Sequence, residues 1–566
     1  MSKLLAFINS KSYFIFIFIS LLALILNRIT LGIDLGDESY YASFLDGWLK
    51  DGIKNSNNLM IHQTAALLLF PFAYAYQAVV GSETGLILYL RLIYTLMSFG
   101  AMLTLYYFLK PIQGKLFSTV VFAFGVLFIP WGLPAPSYNT IGMFGMLAAV
   151  SVFGIAVMQG QGKKKLKFFF SASLWTCSIV AYPSLLIAFV GFILIAYAFL
   201  KEGKALLTYL ILSSFIFTCT LALLFLILGT EHIIYIFKFS NSMLQVSSLP
   251  LKIYKIIQVF HNSTFLILCL TSLIIGGSLP FYPRLIFLAE LYIASLSVYL
   301  TFYAQPSLFL ASHDLIFIIA LLGIFIPLNA IRSSLNPTYR LISIMYCTSF
   351  FAGLITTITA SNGLFNFPVG GLLAACLTLG FLSNSFVAQK RTHTYIGVMI
   401  FTSFCMAIIS FSYFYGEIYG DPLQVPNQKI KKGIFAGLTT SQLQANFINK
   451  IISILPQNRS NGKIAVFGRL SGLYLLTSLS PAVLSTWNYN IGQNKAVLNL
   501  IRNFYQKKKN QPDLIIKYKD PWGEPLAEIE KLILQKYEVK DRYKAEIQSV
   551  TIYQHSKQYF ANRNNS

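Results

Sequence analysis

Long apolar runs, separated by short polar turns, fill the first 414 residues. A helix that crosses a bilayer needs about 20 apolar residues. The runs that reach or approach this length lie near 13–32, 86–109, 116–133, 140–158, 167–182, 184–200, 204–229, 263–279, 284–303, 313–330, 341–359, 368–386 and 395–414. The pattern predicts a polytopic α-helical membrane protein with about thirteen spans, contained in residues 1–414.

One further apolar run, 62–80, contains His62, Gln63 and Pro71, which suit a membrane-spanning helix poorly. Lys and Arg collect in cytoplasmic loops. If 62–80 stays outside, basic clusters such as 163–165 and 390–391 fall on the cytoplasmic side. We therefore expect this run to lie at the outer interface. The N-terminus is then cytoplasmic, and the long first loop (33–85) and the tail face outward.

The tail, 415–566, changes to a polar pattern with short elements. The pattern predicts helices at Thr440–Leu455, 491–507 and Glu524–Tyr537, and strands at Lys463–Gly468, Asp513–Tyr518 and Val550–Tyr553. Helices alternating with strands are typical of a small parallel α/β domain. Gly468–Gly472 follows a strand but lacks a full nucleotide-binding fingerprint. The tail is thus predicted to be a small extracytoplasmic α/β domain.

Composition supports a membrane protein. The 566 residues are 56% hydrophobic and 11% charged, and the mean hydropathy is +0.64. A soluble protein carries roughly 25% charged residues. The net charge of +23 is explained by basic cytoplasmic loops, so no nucleic-acid partner is expected. All six cysteines lie inside apolar runs, which indicates neither a disulfide framework nor a cysteine metal site.

The stretch Asp34–Gly52, directly after the first apolar run, concentrates acidic residues in a chain that is poor in them. Asp37 and Glu38 are adjacent. Neighbouring carboxylates at a membrane surface are costly unless a cation, a substrate or a proton relieves their repulsion. The alternative is a solvated loop with scattered acids.

Other polar residues stand near the predicted outer ends of spans. Arg91 could hold a lipid phosphate or simply extend to the headgroups. The remaining candidates for substrate binding are Tyr41, His62, Tyr138, Asn139, Lys238 and His313. Helix capping is the competing explanation for Asn139 and for His313 with Asp314.

The order of these features resembles the C-type (GT-C) membrane glycosyltransferases. Asp37-Glu38 follows the first span, the apolar run 62–80 comes next, and Arg91 opens the following span. The bacterial lipid A aminoarabinose transferases and the protein O-mannosyltransferases are the nearest cases, and the thirteen-span plan with a periplasmic tail is similar to the former. The resemblance implies a transferase of the plasma (inner) membrane, surrounded by membrane lipids. It would move a sugar from a polyprenyl-phosphate carrier to a lipid, glycan or protein acceptor, with inversion at the anomeric carbon.

In this reading Asp37 is the general base and Glu38 orients the acceptor or tunes Asp37, while Arg91 and Lys238 stabilise the departing phosphate. Asn139 stands where related transferases often carry a second acid, and the Glu-Lys-Pro of the aminoarabinose transferases is missing near His62. Hard cations favour several anionic oxygens, and Asn139 supplies no carboxylate where relatives often have one. The sequence therefore does not require Mg²⁺ or Mn²⁺. A metal, if used, would be held by Asp37 or Glu38. A lipid or polysaccharide transporter and a non-catalytic envelope-binding relative are the alternative functions.

Overall fold

The structure is a computed structural model that describes residues 11–53, 63–158, 164–200, 203–244, 249–303, 308–332, 336–360, 362–387, 392–412, 427–455, 462–468, 470–486, 495–518, 533–534, 537–544 and 549–555. It is mostly helical. The helices that precede the tail are α1 (Lys11–Arg28), α2 (Asp37–Asp51), α3 (Gln63–Val80), α4 (Leu86–Gln113), α5 (Lys115–Leu127), α6 (Tyr138–Met158), α7 (Lys164–Ala181), α8 (Leu185–Phe199), α9 (Gly203–Leu228), α10 (Thr230–Leu244), α11 (Leu249–Val259), α12 (Ser263–Ser278), α13 (Ile286–Phe302), α14 (Leu308–Leu322), α15 (Phe325–Arg332), α16 (Pro337–Thr359), α17 (Phe367–Val387) and α18 (Thr392–Ser412).

Eight helical stretches in the described part of the chain are long and apolar enough to cross a membrane, or nine if the bent pair α11–α12 forms one span. The chain is therefore a multi-pass membrane protein. The described helices α1, α5 and α8 are apolar but shorter. The count of thirteen spans and the orientation of the termini stay predictions, as does the interfacial position of the 18-residue helix α3.

The chain forms two compact units, which are described separately. The helical unit comprises residues 11–28, 92–221 and 249–412 of the described chain. Its helices approach closely where side chains are small: a Cβ atom on Gly370 of α17 would meet the Ala352 backbone of α16 at 2.1 Å. Helix α17 is almost entirely enclosed, whereas most of α9 is exposed and apolar, as expected for a lipid-facing helix.

The loop–tail unit comprises residues 29–91, 222–248 and the described residues after 414. Its tail holds the helices α19 (Gln442–Ile454) and α20 (Lys495–Gln506) and the strands β1 (Gln428–Lys429), β2 (Thr439–Thr440), β3 (Lys463–Phe467), β4 (Ser480–Pro481), β5 (Leu514–Tyr518), β6 (Tyr537–Lys544) and β7 (Ser549–His555). Ser441 caps α19, because its side chain accepts a hydrogen bond from the Gln444 backbone. The tail segments predicted as α19, β3, α20, β5 and β7 have the predicted secondary structure.

The sheet of the tail is mixed, so the prediction of an all-parallel sheet is wrong. The strand order is β4-β3-β5-β7-β6; β3 runs parallel to β4 and β5, while β7 runs antiparallel to β5 and β6. Only four residues separate β6 from β7, and so short a connection joins antiparallel strands. The predicted helix Glu524–Tyr537 lies largely outside the described residues, but its last residue, Tyr537, begins β6.

Candidate active site: an acidic loop anchored by a buried arginine

The segment between α1 and α2 is fixed by the tail. The Gly32 backbone N–H donates to the Thr439 carbonyl at 2.8 Å, and the Thr439 N–H donates to Thr30 at 2.8 Å. The Gln444 side chain donates to the Ile33 carbonyl at 2.9 Å. The backbone that leads into α2 is therefore held by β2 and α19, which lie about four hundred residues further along the chain.

Asp34 begins α2 by satisfying its first N–H groups. One carboxylate oxygen accepts the Gly36 N–H and the other accepts the Glu38 N–H, each at 2.9 Å. Such groups lack partners within a helix, so an acidic side chain at this position stabilises the first turn. Burial raises the pKa of the Asp34 carboxyl to about 6, although both N–H groups act to lower it.

Glu38 and Arg91 form a buried two-pronged ion pair. Arg91 Nε donates to Glu38 Oε1 at 2.7 Å, and an Arg91 terminal nitrogen donates to Oε2 at 2.6 Å. The side chains are 4% and 0% exposed. The remaining guanidinium N–H groups donate to the carbonyls of Ile29, Leu31 and Gly32 at 2.8–3.1 Å. All five donors of the guanidinium are thus used inside the loop–tail unit.

This geometry differs from the role that the sequence suggested for Arg91. Its donors are directed at Glu38 and at the carbonyls of the loop, and none is left for a lipid phosphate. Charge-assisted, bidentate pairs are strong and geometrically specific. Glu38 and Arg91 together therefore hold the turn that presents Asp37.

Asp37, the first residue of α2, is exposed at the same turn. Its carboxylate has no hydrogen-bond partner within the described part of the chain. Desolvation by the neighbouring protein, and then the Asp34 carboxylate, raise the pKa of Asp37 above its ordinary value, while water at the exposed carboxylate limits the rise. A carboxylate with a raised pKa and open access is suited to proton transfer near neutral pH.

The opposite face of α2 rests on the tail. The Ser43 and Thr486 hydroxyls lie 2.9 Å apart, and the Gly472 N–H donates to the Leu35 carbonyl at 2.7 Å. A Cβ atom on Gly472 would meet the Leu35 Cα and the Ser39 Oγ at 3.0 Å, so glycine permits this close approach. Farther along α2, Asp46 accepts a hydrogen bond from Lys50 at 2.7 Å.

The other predicted residues are distributed over both units. Tyr41 is buried on α2 with its ring against Tyr40, and Lys238 is exposed on α10 in the same unit. His62 lies outside the described residues. In the helical unit, Tyr138 stacks on Tyr182 at a centroid distance of 5.2 Å, and His313 accepts a hydrogen bond from the Trp131 backbone at 3.3 Å.

Asn139 is also buried in the helical unit, and its side-chain oxygen has no donor among the described residues. The structure thus brings Asp37, Glu38, Tyr41 and Arg91 together in the loop–tail unit, while Tyr138, Asn139 and His313 belong to the other.

Sequence reasoning missed the residues that position this site. Asp34 carried a partial signal, because aspartate is common near helix N-termini, where its carboxylate can accept backbone N–H groups. Gln444, Gly472 and Thr486 carried none, since their role depends on which distant segment folds against them.

The carboxylates do not fit a protein-held divalent cation. Asp34 accepts two backbone N–H groups, and Glu38 is engaged by Arg91. Asp37 alone remains open, whereas Mg²⁺ and similar hard cations prefer several oxygen ligands. No group of three or more His, Cys, Asp or Glu side chains in the described residues could hold a metal ion.

Comparison with solved structures relates the fold to one archaeal enzyme. The oligosaccharyltransferase of Archaeoglobus fulgidus in its apo form matches with a TM-score of 0.50 and 10% sequence identity, over 97% of this chain and 75% of that chain. This chain has the oligosaccharyltransferase fold. The likeness concerns the fold alone, and it agrees with the polytopic helical architecture predicted from the sequence.

The oligosaccharyltransferase AglB from Archaeoglobus fulgidus, in complex with an inhibitory peptide and a dolichol-phosphate, gives a TM-score of 0.49, with 10% identity over 97% of this chain and 75% of that chain. The Archaeoglobus fulgidus oligosaccharyltransferase in complex with Zn and sulfate gives 0.47, with 9% identity over 94% of this chain and 70% of that chain. No protein-family model matches this chain, and no curated protein matches it. The narrower likeness to aminoarabinose transferases and O-mannosyltransferases stays a prediction.

Proposed function

We propose that this protein is a glycosyltransferase that moves a sugar from a polyprenyl-phosphate carrier to a lipid, glycan or protein acceptor at the outer face of the plasma (inner) membrane. The observation that carries the proposal is the open Asp37 carboxylate, set at the start of α2 by Asp34 and by the buried Glu38–Arg91 pair. The shared fold is a supporting analogy, because one fold can serve many functions.

Asp37 is the general base of the proposed reaction. Its carboxylate takes the proton from the acceptor group while the acceptor atom forms a bond to the anomeric carbon. The bond between that carbon and the phosphate oxygen breaks, and the carrier leaves as a phosphate monoester with the bonding electrons. Attack opposite the leaving group inverts the anomeric centre. Asp37 ends the step as the neutral acid, which its raised pKa favours.

Glu38 and Arg91 are positioning residues in this mechanism. Because they neutralise each other, the negative charge that develops on the carrier phosphate requires other basic groups. Lys238, exposed on α10 in the same unit as Asp37, is the candidate in the loop–tail unit. Residues 1–414 with the loop 33–85 would form the catalytic domain, and 415–566 an extracytoplasmic domain.

The proposal is tested with purified protein, a tagged polyprenyl-phosphate sugar and a panel of lipid, glycan and peptide acceptors. We expect transfer by the wild type and a loss of at least about a hundredfold in Asp37→Asn, the usual scale of general base catalysis. Because Asp37 is exposed, makes no hydrogen bond among the described residues and has a raised pKa, the neutral variant should unfold at or slightly above the wild-type temperature.

Glu231→Gln removes an exposed carboxylate from α10 in the same unit and is the matched control, expected to remain active. Full transfer by Asp37→Asn would exclude the base assignment. Movement of the lipid across the bilayer without sugar transfer would favour a transporter. Binding of envelope glycans without sugar transfer would favour a non-catalytic relative.

A further inference from the structure

Helix α11 is unusual in which of its side chains are buried. Its apolar residues Leu251, Ile253, Tyr254 and Ile257 are exposed, whereas Lys252 is only 7% exposed. The helix is bent by 87° from α12, which follows it. In a membrane protein, exposed apolar side chains on such a bent helix suit contact with lipid. Lysine is almost never fully buried without a partner, so the position of Lys252 requires an explanation.

Lys252 points toward the ends of neighbouring helices in the helical unit. Its ammonium donates one hydrogen bond, to the Thr359 carbonyl at the end of α16, at 2.7 Å. An ammonium has three N–H donors. The other two have no acceptor within the described chain, and no described carboxylate lies within ion-pair distance. A buried positive charge with unused donors is costly unless water or an anion satisfies it.

A connected set of polar side chains adjoins this ammonium. The Thr359 hydroxyl donates to Ser184 at 3.0 Å, and the Asn366 amide donates to the Tyr182 hydroxyl at 3.3 Å. The Tyr182 hydroxyl also interacts with Thr359 and Ser184. We refer to Lys252, Tyr182, Ser184, Thr359 and Asn366 as the Lys252 cluster.

Asn366 adds an unused acceptor to the Lys252 cluster. It is fully buried, and its side-chain oxygen has no donor among the described residues. Its backbone carbonyl accepts the Thr356 hydroxyl at 2.9 Å, which fixes its position. Buried polar atoms without partners are rare in native structures, and they commonly mark a place for water or a ligand.

The cluster therefore offers a cation with two open donors and a neighbouring acceptor, beside a helix with an exposed apolar surface. The phosphate of a ligand can accept hydrogen bonds from the Lys252 ammonium. A hydroxyl group on the same ligand, next to the phosphate, can donate to the side-chain oxygen of Asn366. The apolar side chains of α11 favour a ligand that carries an acyl or prenyl chain. We propose that the Lys252 cluster binds the phosphate of a lipid headgroup. The inference rests on the helical unit alone and does not require Asp37 to be catalytic.

The test measures binding of a fluorescent short-chain polyprenyl phosphate to the full-length protein in nanodiscs of zwitterionic lipid. Unlabelled polyprenyl phosphate, phosphatidylglycerol and inorganic phosphate serve as competitors. Lys252→Met should weaken binding about tenfold or more, because one charge-assisted contact is lost. Lys252→Arg, which keeps the charge, should retain most of the affinity. Lys255→Met is the matched control, since it removes an exposed lysine from the same helix.

Competition identifies the source of the phosphate. Strong competition by polyprenyl phosphate alone indicates a carrier lipid, and equal competition by phosphatidylglycerol indicates a bilayer phospholipid; both support the site. Competition by inorganic phosphate as strong as that of either lipid would refute a lipid site. Equal losses in Lys252→Met and Lys255→Met, or unchanged binding in a folded Lys252→Met protein, would also overturn the proposal. If Asp37→Asn loses sugar transfer but still binds the lipid, the result supports a lipid site at the Lys252 cluster that is independent of the catalytic residue.

Discussion

Removal of Arg91 should destabilise the loop–tail unit strongly. In Arg91→Met the Glu38 carboxylate, 4% exposed, loses its counterion, and the carbonyls of Ile29, Leu31 and Gly32 lose their donors. Loss of one partner of a buried ion pair typically costs about 3–5 kcal/mol. At about 2–4 °C per kcal/mol for a unit of this size, the apparent Tm should fall by roughly 6–20 °C.

The assay is thermal unfolding of purified protein in detergent, followed by intrinsic fluorescence. Arg502→Met, which removes an exposed arginine from α20, is the matched control and should leave the apparent Tm nearly unchanged. Arg91→Lys should also be destabilised, because a lysine cannot reproduce the two-pronged contact with Glu38.

A double-mutant cycle isolates the pair. Glu38→Leu and Arg91→Met should each destabilise, and the double variant should be more stable than the sum of the two effects by about 2–3 kcal/mol. Additive effects, or an Arg91→Met protein that is as stable as the wild type, would refute the view that this pair holds the loop.

Three further predictions concern α2. The transfer rate should rise with pH to values above the ordinary range of an aspartate, because the proposed base Asp37 must be ionised and its pKa is raised by desolvation and by Asp34. The pH–rate profile of Asp34→Asn should move to lower pH, and an unmoved profile would contradict the coupling between the two carboxylates. Burial raises the pKa of Asp34 to about 6 and of Asp46 to about 7, from an ordinary value of 3.8. The folded state therefore binds these protons more tightly than the unfolded state. Their stabilising contribution is complete below about pH 4 and is lost as the pH rises through 6–7, so unfolding temperatures should fall over that window and fall less in Asp46→Asn. Gly472→Ala should lower the free energy of unfolding by about 1–3 kcal/mol, because the added Cβ would press on Leu35 and Ser39. Gly47→Ala is the control: its Cβ has open space inside α2, so it should raise the free energy of unfolding by about 0.5–1 kcal/mol. Equal thermal shifts in the two variants would contradict the close packing of the tail on α2.

Most of the secondary-structure elements, and the position of the acidic segment in the first loop, could be predicted from the amino-acid sequence. Apolar runs predicted the helices of the helical unit other than α11, because burial in lipid imposes a composition that is visible locally. Short apolar stretches predicted β3 and β5. The segment 537–544 could have been predicted as β6, since the β-formers Tyr537, Val539 and Tyr543 alternate with polar residues. The strand has an irregularity in its pairing between Val539 and Asp541.

Which of the two adjacent acids is open to solvent depends on the folded structure. Asp37 and Glu38 look equivalent in the sequence, but Glu38 is consumed by an arginine 53 residues away, and Asp37 is left exposed. The hold of Gln444, Gly472 and Thr486 on α2 and the inward position of Lys252 likewise depend on segments that meet only in the fold. Local sequence indicates the environment in which a residue is stable, such as a buried position, a helix cap or an ion pair. The distant residue that provides this environment is set by the packing of the whole chain.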